Sequence, residues 1–555
     1  MSETVPAPRQ RVYLPAILGG ALWYCCYFPL NLGPLAFIAL VPWLSLVDAT
    51  VRPRRLYFAM FVGGLAAYLP LGQWIRVAHP AMYGAWIGIA LYGSVCLVFW
   101  LATARWLVRR EINHYVAIPA AWVLWEYFRT HAPTGFLWLQ ELNGYQAVGI
   151  GWYLAGHTQH SFLTFIQAAD IGGVPLISWL VVLCNLTLLN LLRKMAGRLL
   201  FAPPQQPNYH RGWVAATAVL FLGFLGYGVV RLNHEPLPLG PKVAMLQSNL
   251  SQDIKMTQND NVMQHMFELA DRAAASQPDL IVWPETALPM NWTTLAPTAE
   301  PSNLPTEITM GFKDNDQLGK LTQQRWRTNV LFGMNAIEYE NEETTWKYNS
   351  AVLINKDGKF AGKFDKIHLV PFGEYVPFRK TFPWMKMFTP YDHDYSCRPG
   401  TSYTVFPGPK ATFGCLICYE NTDPAIARGY FRGGRNVDYF VSISNDGWFK
   451  GTAEHEQHHA ITRFRAIENR RAVVRAVNMG ISGIIDSDGR LTALPGPTLS
   501  KSKKIASVVT GDVPIDNRTS FYHTLGDWVP AFSFLVILYT LWGILFQQRS
   551  HCAVK

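Results

Sequence analysis

The chain has 555 residues and a formal net charge of +10; half of it is hydrophobic, 14% is aromatic and 15% is charged. A typical soluble domain is roughly 25% charged and runs to about 100–200 residues, so this composition excludes a single soluble globular domain. The positive charge comes without an aromatic-basic module, which argues against a nucleic-acid partner.

Apolar residues concentrate before about residue 232 and after about residue 526. Runs over 12–31, 33–50, 55–75, 83–104, 114–130, 173–192, 212–232 and 527–547 each approach the roughly 20 residues needed to cross a hydrocarbon core. They predict a membrane α-helical bundle of about eight transmembrane helices, seven before a polar block and one after it. The expected organisation is an N-terminal membrane domain over 1–232, a catalytic domain over 233–526, and a last span with a short tail over 527–555. The fifth run carries Glu126 and Arg129, read either as a buried pair in the bundle or as the lining of a cavity.

Lys and Arg are unevenly spread over the loops. Arg9 and Arg11, Arg52 to Arg55, Arg105 to Arg110, Arg193 to Arg211, and Arg549 to Lys555 occupy every second loop and so one side of the membrane, while the loops between them are poor in Lys and Arg, with Arg76 the main exception. The bias predicts cytoplasmic N- and C-termini and a polar block on the far side of the membrane. The first run lacks a small-x-small cleavage site and reads as a retained span.

The polar block reads as mixed α/β. Extended runs are expected at 243–250, 279–284, 329–338, 348–355, 411–418, 438–444, 471–477 and 481–487, and helices near 258–275, 314–326 and 453–470. Asp-Gly pairs at 357–358 and 488–489 mark turns between strands. Several strands are apolar on nearly every residue, so both of their faces should be covered. Two packed sheets with helices outside would accommodate them. The segments 291–312 and 376–402, rich in Pro and either polar or aromatic residues, are candidate lids.

Three of these segments each offer one part of a covalent acyl-transfer site. Leu280-Ile-Val-Trp-Pro-Glu285 ends in a carboxylate, Lys363-Phe-Asp-Lys366 supplies an ammonium, and Gly414-Cys-Leu-Ile-Cys418 ends in a thiol. A free thiol has a pKa near 8.5 and must lose its proton before it attacks. Glu285 can take that proton. Lys366 can stabilise the oxyanion that develops on the attacked carbonyl, and the Tyr419 backbone N–H is a second candidate donor. Taken alone, each residue is more often a cap, a solvated charge or a core thiol; it is their combination that points to chemistry.

Two other patterns compete. Cys415 and Cys418 form a C-x-x-C, but no second pair accompanies it and the segment reads as a strand, so a redox or zinc role is disfavoured. His455-Glu-Gln-His-His459 matches H-E-x-x-H on a predicted helix, where His455 and His459 could share a face. No further ligand follows at a trusted spacing, so neither a metal nor a cofactor is expected.

The flanks narrow the reading. Gln247-Ser-Asn-Leu-Ser-Gln252, Trp283-Pro-Glu-Thr-Ala-Leu-Pro289, His368-Leu-Val-Pro-Phe-Gly-Glu-Tyr-Val-Pro377, Cys418-Tyr-Glu420 and Asn445-Asp-Gly-Trp-Phe449 resemble the apolipoprotein N-acyltransferases, the membrane-embedded branch of the nitrilase superfamily. The resemblance implies an α/β nitrilase-like αββα sandwich on the periplasmic side of the bacterial inner membrane. It implies a ping-pong reaction in which a membrane phospholipid donates an acyl chain to Cys418. The α-amine of a diacylglyceryl-modified lipoprotein then accepts that chain. Glu285 would be the base and Lys366 the oxyanion stabiliser, with Glu374, Tyr419 and Glu420 in support and Trp448 at the substrate. The chain departs from the family pattern at Gly447, where Ala is common, at Met479, where Asn is common, and in a longer stretch from Gly135 to Asp170. A membrane-anchored amidase with the same three groups, or a silent lipid- or lipoprotein-binding scaffold, would be the alternatives.

Overall fold

The computed structural model describes residues 11–132, 149–196, 211–257, 259–300, 304–377, 382–384 and 395–552. Its first part is helical: α1 (Tyr13–Cys25), α2 (Pro53–Leu71), α3 (Met82–Arg109), α4 (His114–His131), α5 (Ala169–Ala196) and α6 (Arg211–Leu232). A further helix, Trp528–Cys552, follows the α/β part. Among the described residues, four helices are long and apolar enough to cross a membrane: Met82–Arg109, Ala169–Met195, Arg211–Leu232 and Trp528–Leu545.

The other four apolar runs fall short of that standard for local reasons. α1 has only 13 residues. The run at 33–50 breaks into Gly33–Leu35, Ala36–Ala39 and Val41–Ser45, with Pro34 and Pro42 at the starts of two pieces. α2 opens on Arg54 and Arg55, and α4 carries Glu126, Arg129 and His131. Glu126 and Arg129 are both buried, and each bonds to the backbone of 150–155. Glu126 accepts from Trp122 Nε1 at 2.8 Å and from the Ala155 N–H at 2.6 Å. Arg129 donates to the Ile150 and Tyr153 carbonyls, both at 3.2 Å. Together they brace the segment that runs from the helices toward the α/β part.

That part holds two sheets. One has seven strands in the order β12-β1-β2-β4-β5-β6, with β3 also paired to β4; the other has five, β11-β10-β9-β8-β7. The strands are β1 (Leu239–Gln247), β2 (Leu280–Val282), β3 (Asn291–Leu295), β4 (Asn329–Asn341), β5 (Thr344–Ile354), β6 (Phe360–Asp365), β7 (Phe413–Ile417), β8 (Tyr439–Asn445), β9 (Ala472–Asn478), β10 (Gly483–Ile485), β11 (Leu491–Ala493) and β12 (Ser507–Pro514). Alternation sorts their side chains. Val243 and Met245 of β1 join Cys415, Ile417, Val441 and Val474 in the core between the sheets. Ala244 and Leu246 face the other way, against Val262, Met266 and Leu269 of helix Asn259–Ala274. Two parts of the candidate lid at 291–312 are regular structure: β3 pairs parallel with β4, and a helix begins at Thr306; residues 301–303 and much of the other candidate, 376–402, lie outside the described residues.

The helix Glu454–Asn469 is buried along its whole length. Its Ile461, Phe464 and Ile467 enter the core of the helical part, while Ala466 enters the core between the sheets. Arg470 caps it in the left-handed region, at φ +51°, and is fully buried. Its guanidinium lies 2.6 Å from Asp170 of α5 and 2.9 Å from Asp488, and donates to Gln167 Oε1 at 2.7 Å. Arg231 of α6 also lies 2.9 Å from Asp170. This network ties the helices to the α/β part. Removing one partner of a buried ion pair strands the other, at about 3–5 kcal/mol. Arg470→Ala is therefore expected to lower the melting temperature in detergent markedly, whereas Arg325→Ala, which breaks a half-exposed pair with Asp271, should not. Equal melting temperatures would refute the role of the network.

Candidate active site

Three backbone devices converge on one cavity of about 630 Å³. Glu285 follows β2. The Trp283 N–H bonds to the Leu331 carbonyl at 2.9 Å and the Ala287 N–H to that of Gly333 at 2.8 Å, so the connecting arm lies flat on β4. Gly333 permits this, because a Cβ there would meet the Pro284 carbonyl at 2.0 Å. Lys366 follows β6, its N–H bound to the Asn349 carbonyl at 2.8 Å. Cys418 directly follows β7 with φ +53°, a left-handed turn into the short helix Cys418–Thr422. Such strain at a non-glycine residue is often kept at functional sites.

The polar contacts give each group a protonation state. Lys366 is buried, and its Nζ lies 3.2 Å from Glu285 Oε1 and 2.9 Å from Glu374 Oε2. Burial disfavours its charge, but Glu285 and Glu374 outweigh burial and hold its pKa well above the ordinary lysine value. It stays an ammonium and cannot serve as the base. Burial, and then the Glu285 charge, push the Cys418 thiol well above its ordinary value against the pull of Lys366. The resting nucleophile is therefore a thiol. Glu285 Oε2 accepts the Asn445 N–H at 2.8 Å, and Oε1 accepts Asn349 Nδ2 at 2.7 Å.

Of the other expected residues, Glu374 stands beside Lys366 and takes the Val370 N–H at 2.8 Å. Trp448 lines the cavity. Glu420 does not line it. One of its oxygens accepts the Ile367 and His368 N–H groups at 2.7 and 3.1 Å, and the other accepts the Ile417 N–H at 2.7 Å. It clamps the Lys366 segment to the Cys418 turn, and burial pushes its carboxyl up to about 7 against those three donors. The Tyr419 hydroxyl points away, to the Gly149 carbonyl at 2.8 Å, and so links the turn to the helical part.

The chain matches the carbon-nitrogen hydrolase family over residues 242–519 and the apolipoprotein N-acyltransferase N-terminal domain over residues 19–187. It is 33% identical to an apolipoprotein N-acyltransferase of Geobacter metallireducens, over 93% of this chain and 92% of that protein. The chain belongs to the apolipoprotein N-acyltransferase family. It is 28% identical to the member from Bradyrhizobium diazoefficiens, again over 93% of this chain and 92% of that protein. It is 26% identical to apolipoprotein N-acyltransferase 1 of Treponema denticola, over 96% of each. Family membership and the four long apolar helices make it a membrane-embedded bacterial acyltransferase with a nitrilase-like α/β fold.

Two departures from the family pattern have local accounts. A Cβ on Gly447 would lie 2.9 Å from Asn478 Nδ2, a group that donates to Asn445 Oδ1 and to the Leu250 carbonyl, both at 2.8 Å. Met479 sits at φ +63°, where Asn is tolerated more readily, and its carbonyl accepts the Lys504 N–H at 3.0 Å. The longer stretch from Gly135 lies partly outside the described residues.

The competing patterns come apart. Cys415 is a free thiol buried in the core between the sheets, whereas Cys418 lines the cavity. Among the described residues, the donor atoms that converge within 4.8 Å belong to Asp446, Glu454 and His458, not to His455 and His459. Arg475 lies 3.8 Å from Asp446 in that group. The His458 ring contacts the Cys418 carbonyl at 3.1 Å, so this cluster supports the turn.

Sequence reading missed Asn349. Its Nδ2 bridges Glu285 Oε1 at 2.7 Å and Glu374 Oε1 at 2.6 Å. The available signal was a polar Asn349-Ser350 pair directly before the apolar run 351–354. Asn349→Ala is expected to cut turnover by about 10²-fold, as loss of one preorganised donor does, with the melting temperature little changed. Wild-type turnover in this variant would count against the bridge.

Proposed function

We propose that this chain moves an acyl chain from a membrane phospholipid, through a thioester on Cys418, to the α-amine of the diacylglyceryl-cysteine of a lipoprotein. The observation that carries the proposal is the set of buried Glu285 and Lys366 with half-buried Cys418 on one cavity whose lining includes Ala78, His79 and Met82 of the helical part. From Met82 an exposed apolar stripe of Tyr83, Ile87, Leu91, Val95 and Phe99 runs down one face of α3, as a lipid-facing surface would. Phe449, on the rim, packs edge-on against Trp74 at 4.7 Å. Donor and acceptor both reside in the bilayer, so a site at this junction suits them.

In the first half-reaction Glu285 takes the Cys418 proton as sulfur attacks the ester carbonyl. Lys366 faces the oxyanion. Collapse breaks the ester C–O bond, and the leaving alkoxide of the lysophospholipid takes the proton back from Glu285. In the second, the lipoprotein amine attacks the thioester carbon and Glu285 accepts the amine proton. Collapse then releases the thiolate, which regains that proton. Glu374 and Asn349 hold the Lys366 and Glu285 pair in register, Glu420 and Tyr419 hold the turn, and Trp448 meets the substrate.

The proposed architecture has eight crossings, with membrane, catalytic and terminal-span regions at 1–232, 233–526 and 527–555. Both termini are cytoplasmic and the catalytic region is periplasmic. The alternation of basic loops supports it. So does the interior position of Glu126 and Arg129, whose polar groups are met by protein instead of lipid.

Intact mass spectrometry tests the reaction. With phospholipid, a hydroxylamine-sensitive acyl adduct should form on Cys418. A diacylglyceryl lipopeptide should then discharge it and gain the acyl chain. Discharge by water alone would identify a membrane-bound hydrolase, and no adduct at all would favour a binding scaffold.

A further inference from the structure

The cavity holds a second lysine that this reaction does not use. Lys255 lies on the short helix Gln252–Thr257 and lines the same wall as Glu285 and Thr286. Its Nζ donates to the Glu285 carbonyl at 3.4 Å and to Thr286 Oγ1 at 3.3 Å. Lys366 has two carboxylates beside it. Among the described side chains none places a carboxylate oxygen within ion-pair distance of Lys255. Burial pushes its ammonium down to about 8, and Glu285 offsets this only in part.

The charges on the cavity wall are unbalanced. Among the described residues, three lysines, Lys255, Lys347 and Lys366, face two glutamates, Glu285 and Glu374. The two glutamates are both engaged with Lys366. A desolvated ammonium with only a carbonyl and a hydroxyl beside it is stabilised when an anion arrives. The acceptor amine brings no anion to the reaction. The donor does, because a phosphodiester sits a few bonds from the ester that Cys418 attacks.

We infer that Lys255, with the Thr286 hydroxyl, binds the phosphate of the phospholipid donor and so acts in the first half-reaction only. This rests on the proposed acyl transfer. The contact is to the phosphodiester and not to what is attached beyond it, so phosphatidylethanolamine and phosphatidylglycerol should depend on Lys255 alike.

The test compares the wild-type protein with Lys255→Met and Lys255→Arg in detergent micelles. Three rates are followed by mass spectrometry: Cys418 acylation by the two phospholipids, Cys418 acylation by the uncharged ester p-nitrophenyl palmitate, and discharge of the preformed adduct to a diacylglyceryl lipopeptide. Lys255→Met should raise the KM for both phospholipids by about 10- to 100-fold, the range for a hydrogen bond to a charged group. It should leave p-nitrophenyl palmitate and the discharge step unchanged, and Lys255→Arg should recover most of the phospholipid rate. An unchanged phospholipid KM would overturn the inference while leaving the acyl transfer standing. Equal slowing with the uncharged ester would overturn it too, because it would signify general damage to the wall. Failure of the wild-type protein to take an acyl chain from any phospholipid would defeat the proposed function and this inference together.

Discussion

Cys418→Ala is expected to abolish acyl transfer completely while leaving the protein folded. The substitution removes one sulfur atom and keeps the Cβ, so the left-handed turn at φ +53° gains no new strain. The clamp around the turn does not involve the sulfur: Glu420 still receives the Ile417, Ile367 and His368 N–H groups, and the Cys418 carbonyl still meets His458. What disappears is the atom that carries the acyl chain, and no other described thiol can replace it. Cys415 is sealed in the core between the sheets, and Cys397, although it lines the cavity, is not held at a strand-end turn. The readouts are the acyl adduct, lipopeptide N-acylation and the melting temperature. Transfer retained in a folded variant would sink the thioester mechanism.

Glu285→Gln should lower turnover by about 10³-fold or more, which corresponds to about 4 kcal/mol of barrier. Every neighbour that touches Glu285 is a donor: Lys366 Nζ at 3.2 Å, Asn349 Nδ2 at 2.7 Å and the Asn445 N–H at 2.8 Å. A glutamine amide would turn its own N–H groups toward one of them and could accept no proton from sulfur. The Cys418 thiol, already raised by burial, would then lose its base. Two measurements separate this from a packing defect. Alkylation of Cys418 by iodoacetamide should slow along with turnover, and the loss should appear in kcat more than in KM. Turnover within tenfold of wild type would remove Glu285 from the role of base.

The three reactive groups were legible because each sits in a short flank of distinctive chemistry, and because a carboxylate, an ammonium and a thiol make a complete set. The central strands β1, β4, β5, β8 and β9 were legible for a different reason: each holds a stretch of consecutive buried residues, most of them apolar and facing both ways, such as 243–246, 330–334, 351–354, 439–441 and 472–474. β3, with its sequence Asn-Trp-Thr-Thr-Leu, reads as a loop. It becomes a strand only because β4 offers free backbone groups beside it, residues 335 to 339 against 291 to 295. β12 depends in the same way on β1, to which it pairs antiparallel from a distant part of the chain.

The amino-acid order by itself determined the apolar runs that mark the membrane part, the periodicities of the α/β part and the inventory of reactive groups, since these are properties of neighbouring residues. Tertiary structure alone decided four other features. The helix Glu454–Asn469 carries many charged residues, yet it is buried end to end, and its Glu456 and His458 meet Lys503 and Asp446, groups that lie outside the helix. Glu126 and Arg129, four-fifths of a helical turn apart, look made for each other but bind the backbone of 150–155 instead. Asn349 became part of the site only when β5 brought it between Glu285 and Glu374. Among the described side chains, Lys255 was left with no paired carboxylate because both cavity glutamates turn to Lys366. In each case the deciding partner is a hydrogen-bonding or charged group brought close by the fold, and local pattern carries no information about which distant group that will be.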